Sequence, residues 1–247
     1  MGRAQRVSIA ETIPASVDPG GMVEWLRQQP AFAAARLQRR AKPQREQDLD
    51  RCGQRITTGF AALDRALDGG IRSGITELVG SGGRTSLALG MLAAATRRGE
   101  VVAWIDTANA LDPLSVQGAG VCLDRFLWIR PAGGNRLKQA LKAADLVLDA
   151  GGFAMLVVDL GDGADPIVKR KRSTQTRSAW WVRLTRRVEA ANAALVTLGE
   201  TDSFCSDLRL ECRRFHGAGF EIRVRVARDR YGAPGNSATV SFTQPVD

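Results

Sequence analysis

Short apolar segments recur through the middle of this 247-residue chain at the spacing of strands that alternate with helices. Residues 75–79, 101–105, 126–129 and 153–158 are each too short for a buried helix, and glycine, proline or charged residues bound them. Between them, residues 86–98 and 136–149 have helical composition, and residues 178–192 (SAWWVRLTRRVEAAN) lead as a helix into a further strand at 194–198. This alternation predicts a largely parallel sheet with helices on both faces and ligands at the carboxyl ends of the strands.

The rhythm changes near the end of the chain. Leu208, Leu210 and Cys212 alternate with Arg209, Glu211 and Arg213, and Ile222, Val224 and Val226 alternate with Glu221, Arg223 and Arg225. A glycine-containing turn at 216–219 and a third short strand at 238–242 complete an antiparallel β-meander. The expected fold class is therefore α/β, a mostly parallel twisted sheet covered by helices and closed by this meander. Its 44% hydrophobic content suits one substantial core. The expected organisation is an N-terminal helical segment and linker over 1–55 and a core domain over 56–247. Within the first, Met22, Trp25 and Leu26 precede Pro30, and a polar linker occupies 41–54. A helix introduced by Thr58-Gly59, with Phe60, Leu63 and Leu67 on one face, opens the core domain and stops at Gly69-Gly70.

The segment ELVGSGGRTSLAL (77–89) has the order strand, glycine turn, helix start. A phosphate-binding loop needs four residues between its glycines and a lysine after the second, so that successive amides wrap the phosphates. If Gly83-Arg84-Thr85 stand for the Gly-Lys-Thr of that pattern, the first glycine falls on Leu78, and the available one is Gly80. The loop is two residues short, and Arg84 is no conservative replacement for lysine at a tight phosphate site. Gly80, Gly82, Gly83, Arg84 and Thr85 form a degenerate nucleotide-site candidate better suited to holding an anion at a helix start than to hydrolysis.

Charge is unevenly distributed. Residues 1–55 hold ten Lys/Arg against six Asp/Glu, residues 56–166 ten against twelve, and residues 167–247 fifteen against eight, or +4, −2 and +7. Excess basicity outside the glycine-loop core points to a polyanionic partner. The candidate DNA-binding residues are Lys169, Arg170, Lys171, Arg172, Arg177, Arg183, Arg186 and Arg187, with no acidic residue among them from Pro166 to Val188. Neutralising six phosphates predicts a salt dependence with a logarithmic slope of about −5 on duplex DNA, without sequence preference. A solvated loop is the bland alternative. Trp180 and Trp181 offer stacking surfaces, but neighbours on a helix diverge by about 100°, so at least one faces the sheet. Arg209, Arg213, Arg223 and Arg225 form a possible basic face on the meander, for DNA or for protein. The four cysteines show no C-x-x-C pair and there is one histidine, so no metal site is expected. Without an apolar leader or membrane-length segment, a cytoplasmic location is expected.

Several motifs in order resemble the RecA-like recombinase core: TTGFAALDRALDGGIRSGITELVG (57–80), AWIDTANALDP (103–113), GFAMLVVD (152–159) and the meander, together about 57–243. Within that superfamily the chain most resembles the ImuA family, RecA-related accessory factors of bacterial translesion synthesis. The resemblance implies that Asp159 stands at the Walker B position, that the glutamate preparing the attacking water falls on Ala108, and that Glu200 replaces a phosphate-sensing glutamine. It places the basic run at the family's first DNA loop and leaves too few residues, 199–206, for the second. Arg228 and Arg230 fall where the family places two lysines against a neighbour's nucleotide. It further implies no catalytic residue, no cofactor and no metal, a role in SOS mutagenesis, and as partners DNA, RecA and an inactive Y-family polymerase homologue of the ImuB type, with no membrane. Two alternatives stay open: an active RecA/KaiC-type ATPase with an unusual pocket, and a protein-only SOS regulator such as a SulA-type cell-division inhibitor.

Overall fold

The computed structural model describes residues 25, 28, 55–131, 136–161, 174–199, 206–216, 220–232 and 234–242, with no side-chain description for 174–179 and His216. The core begins with β1 (Arg55–Ile56), α1 (Ala61–Ala66) and β2 (Ile71–Arg72), in which β1 and β2 pair antiparallel around the helix. Strands and helices then alternate: β3 (Gly74–Val79), α2 (Arg84–Arg97), β4 (Val101–Asp106), α3 (Pro113–Gly118), β5 (Phe126–Ile129), α4 (Arg136–Ala150), β6 (Phe153–Asp159), α5 (Thr174–Ala191) and β7 (Ala194–Leu198). The described chain ends with β8 (Leu208–His216), β9 (Phe220–Asp229) and β10 (Ser237–Phe242).

The ten-strand set forms the small β1-β2 sheet and one eight-stranded sheet in the order β10-β9-β8-β3-β7-β6-β4-β5. From β8 to β5 every neighbouring pair is parallel, and β8-β9 and β9-β10 are antiparallel. The expected α/β class is what forms: a parallel sheet because apolar strands are separated by crossover helices, then a meander because alternating strands are separated by tight turns.

Each face of the sheet carries its own core. On one, Leu87, Met91 and Leu92 of α2 pack on Leu78, Trp104 and Val157, and the layer continues across Leu210, Cys212, Ile222 and Val224 of the meander. On the other, Ala144 and Leu148 of α4 and Trp181, Leu184 and Val188 of α5 cover Ile75, Leu156 and Leu195. Trp181 is thus the inward tryptophan, and Trp180 packs at the rim of the same core. Trp25, helical and half-buried, also packs on this second core, and the rest of the N-terminal segment except Gln28 and Arg55 lies outside the described residues. The two-residue strands β1 and β2 and the short α3 were not anticipated. At α3, Asp112 accepts hydrogen bonds from the side chain and amide of Ser115 and the amide of Leu114, which hold its carboxyl below the usual range. No helix among the described residues is long and apolar enough to cross a membrane.

Candidate functional site

The carboxyl ends of β3, β7, β6 and β4 meet beside the start of α2. Short turns lace them together: Gly199 N donates to Leu78 O (3.1 Å), Leu160 N to Leu198 O (3.1 Å), and Thr107 to Asp159 O through both its amide (3.2 Å) and its hydroxyl (2.6 Å). Asp159 sits at the end of β6, and its Oδ1 accepts from the amide of Gly161 at 2.9 Å. Buried Asp106 accepts from the amides of Ala110 and Leu111, which shapes the loop after β4. That loop leaves Ala108 exposed, with its Cβ 3.7 Å from where a side chain on Gly161 would begin. An alanine methyl therefore borders the turn that holds Asp159, and it can neither accept nor orient a proton.

The glycine loop packs against the meander. β3 pairs with β8 only as far as Val79 opposite Glu211, so from Cys212 onward the β8-β9 hairpin runs on beside the loop. Gly80 has φ 109°, and a Cβ there would collide with the carbonyl oxygen of Cys212. At Gly83, in the left-handed region at φ 84°, a Cβ would come within 2.6 Å of Ile222 Cδ1, and at Gly82 it would lie 3.3 Å from Arg214 Cβ. Gly80 and Gly83 are thus required by close approach to β8 and β9, and Gly82 sits in tight contact with β8. The sequence signal for these contacts was absent, because it lies in a hairpin more than a hundred residues away.

Gly83 is the N-cap of α2 and supplies no side-chain cap. The first-turn amides of Thr85 and Ser86 point out of the helix start, which favours an anion there. Arg84 is half-buried and Thr85 exposed. Burial pushes the Cys212 thiol up to about 12, while nearby Arg84 draws it down and Glu211 pushes it up. Arg214, stacked 4.6 Å from the centroid of Phe220, adds a cation on the same side that sequence reasoning did not single out. The nucleotide that a phosphate loop implies is a poor fit: the loop is short, its glycines close on the protein, and no lysine is present. An anion at the α2 start is what these residues can hold.

The basic candidates divide sharply. Lys169, Arg170, Lys171 and Arg172 lie outside the described residues, as does Glu200, and Arg177 lies in α5 without side-chain description. Arg183 donates to both oxygens of Asp145, at 3.0 and 2.6 Å. Arg187 adds contacts to Asp145 at 3.3 Å and to Asp149. Asp145 is 6% exposed, and its hydrogen bond and charge hold the Arg183 guanidinium above its ordinary pKa. These two arginines fasten α5 to α4, and Arg186 is left on the exposed side. On the meander, Arg209 is not part of an open face: it is half-buried and pairs at 3.4 Å with Glu77, which is fully buried in β3. Arg225 binds Glu211 across the strands at 3.0 and 2.5 Å. Arg228 donates to Ser206 O (2.7 Å), and Arg230 pairs with Asp207 at 3.4 Å. Arg213 and Arg223 are exposed. No cluster of metal-ligating side chains occurs among the described residues.

Parallel strands in this order, a glycine turn from β3 into α2 and an aspartate ending β6 are the geometry on which the comparison with known families bears. A family model described as the RecA N-terminal domain matches residues 43–168, slightly more than half of the chain, covering β1 to β6 and stopping before α5. On that match and this sheet, the chain belongs to the RecA N-terminal domain family.

Proposed function

We propose that this chain is a RecA-family protein that has lost the nucleotide cycle and acts as a DNA-binding accessory factor in SOS mutagenesis and translesion synthesis. The observation that carries the loss is the glycine loop: shortened, lysine-free and closed on Cys212, Arg214 and Ile222, it keeps its glycines for packing. Ala108 beside the Asp159 turn supports the same reading, since phosphoryl transfer to water needs a group there that positions the nucleophile. Basicity concentrated after β6 supports DNA as the partner, with Lys169 to Arg172 as its main contacts. The similarity of the motifs to the ImuA family supports RecA and an inactive Y-family polymerase homologue as protein partners.

The test is fluorescence anisotropy of labelled single-stranded and duplex DNA over a salt series, with and without Mg-ATP. Salt-steep binding indifferent to ATP is the expected result. Binding that requires ATP, with turnover abolished by Arg84→Ala, would overturn the loss of the cycle. No binding to either DNA would transfer the weight to a protein-only regulator. Replacing Lys169, Arg170, Lys171 and Arg172 together by alanine should flatten the duplex salt slope by about 3.6 if each contacts a phosphate.

A further inference from the structure

The meander turns one face to the core and the other to solvent, and the register lays out that outer face as a grid. Across β8, β9 and β10 the rows are Phe215, Glu221 and Ser241; then Arg213, Arg223 and Thr239; then Glu211, Arg225 and Ser237. The outer rows are internally settled: Ser241 donates to Glu221 at 3.3 Å, and Arg225 grips Glu211. The middle row is not. It sets two arginines directly opposite each other, an arrangement that disfavours the sheet. Among the described residues neither forms an ion pair, and both are exposed with Thr239 beside them.

Arg223 is also held in place. Its guanidinium lies over the ring of Phe215, 4.3 Å from the centroid, and Arg223 is itself exposed. A planar cation braced in this way offers a platform for a base, while its N–H groups and those of Arg213 offer donors to phosphate oxygens. Neighbouring strands stand about 4.8 Å apart, so Arg213 on β8 and Thr239 on β10 flank Arg223 on either side. No large apolar side chain of β8, β9 or β10 is among the strongly exposed ones. A protein partner generally needs an apolar anchor at the centre of its interface, whereas a nucleic-acid backbone is met by a polar, basic and wet surface.

We infer that the Arg213-Arg223 row on the outer face of the β8-β9 hairpin is a contact site for single-stranded nucleic acid, separate from the basic run after β6. Arg213 and Thr239 hold a backbone phosphate, and Arg223 stacks a base against the plane already supported by Phe215. The inference rests on the DNA-binding reading above for its class of partner, and on the hairpin alone for its place.

The experiment compares the full-length protein with an Arg213→Gln/Arg223→Gln double variant and an Arg213→Lys/Arg223→Lys variant, by anisotropy on a labelled thymidine homopolymer over a salt series. Losing the phosphate contact of Arg213 should make the logarithmic slope shallower by about 0.7 on a single strand, and losing the stacked plane of Arg223 should weaken binding at every salt concentration. The lysine variant should restore the slope and stay weaker than wild type, because an ammonium does not replace a stacked plane. A double variant that melts no lower than wild type and binds the homopolymer with unchanged slope would overturn the site while leaving the DNA-binding reading intact. Failure of wild type itself to bind would overturn that reading and this site together. Binding to poly-glutamate but not the homopolymer, abolished in the double variant, would likewise overturn it by assigning the row to an acidic protein.

Discussion

Two arginine pairs in this protein stand in opposite circumstances. Arg183 and Arg187 lie one helical turn apart on α5 and reach Asp145 and Asp149, themselves one turn apart on α4. Arg213 and Arg223 lie across from each other on two strands with no carboxylate in their row. The first pair completes a helix-helix contact around a carboxylate that is nearly buried, so the fold accounts for it. The second sets two like charges opposite each other, and of the two only Arg223 has a partner in the fold, the ring of Phe215. Density of positive charge is the same signal in both segments of the sequence, and only the partner across the contact separates a structural cation from one available to a ligand.

That comparison breaks most readily if α5 is not held where its apolar face puts it. Leu184 is fully buried against the second core. Leu184→Ala should destabilise by about 2–5 kcal/mol in urea unfolding followed by far-UV circular dichroism. A loss near zero would mean that α5 is undocked and that its arginines are free for other partners.

The corresponding question for the hairpin is whether its inner face is as dry as its outer face is charged. Cys212 reports on this. Its thiol is raised from 9.0 to about 12 by burial, so the protonated form is favoured in the folded chain. A raised folded-state value means that stability is fully present below about pH 9 and is lost as pH climbs toward 12, because the unfolded chain ionises first. Relative to Cys212→Ala, wild type should lose about 1.4 kcal/mol by pH 10. Parallel stability curves for the two proteins from pH 8 to 10 would show a thiol already open to water.

Much of this arrangement was legible in the sequence because periodicity reports which side of an element is buried. The strands over 75–79, 101–105, 126–129 and 153–158 and the alternation through the meander all correspond to observed strands. β1 and β2 escaped because two residues carry no period, and α3 because six residues make too little of one. Helix α2 begins two residues before the predicted start, at Arg84, since Gly83 in the left-handed region is its cap. The candidate site was legible only in its local chemistry. The missing loop residues and Ala108 could be counted from the chain, but the use of Gly80 and Gly83 by Cys212 and Ile222 depends on a sheet register that no local pattern encodes. Two overlooked signals did exist. Glu77 inside an apolar strand demanded a buried partner, which proved to be Arg209, and the matching four-residue spacings of Asp145/Asp149 and Arg183/Arg187 suited a helix-helix ladder.

The ladder itself is the next target. Asp145→Asn keeps the shape and removes the charge that Arg183 and Arg187 share. It should lower the melting temperature by about 2–4 °C, the shift that a loss near 1 kcal/mol brings in a chain of this size. Arg186→Gln, on the exposed side of the same helix, should leave the melt where it was. Equal shifts from the two variants would erase the distinction between arginines that hold the fold and arginines that do not.

The smallest expected effect is the most pointed, because its sign separates the two pairs. If Arg213 and Arg223 oppose each other without compensation, Arg213→Thr should raise stability by about 0.2–1 kcal/mol, since it removes a cross-strand repulsion and puts a strand-favouring residue in its place. The long arginine stem also covers part of the sheet, and losing that cover works in the other direction. A net gain in the melting temperature therefore means that repulsion outweighs cover, and it should shrink at high salt as the two charges are screened. A net loss that is independent of salt would place Arg213 with Arg183, as a side chain kept for packing, and would remove the physical reason for assigning the hairpin a ligand.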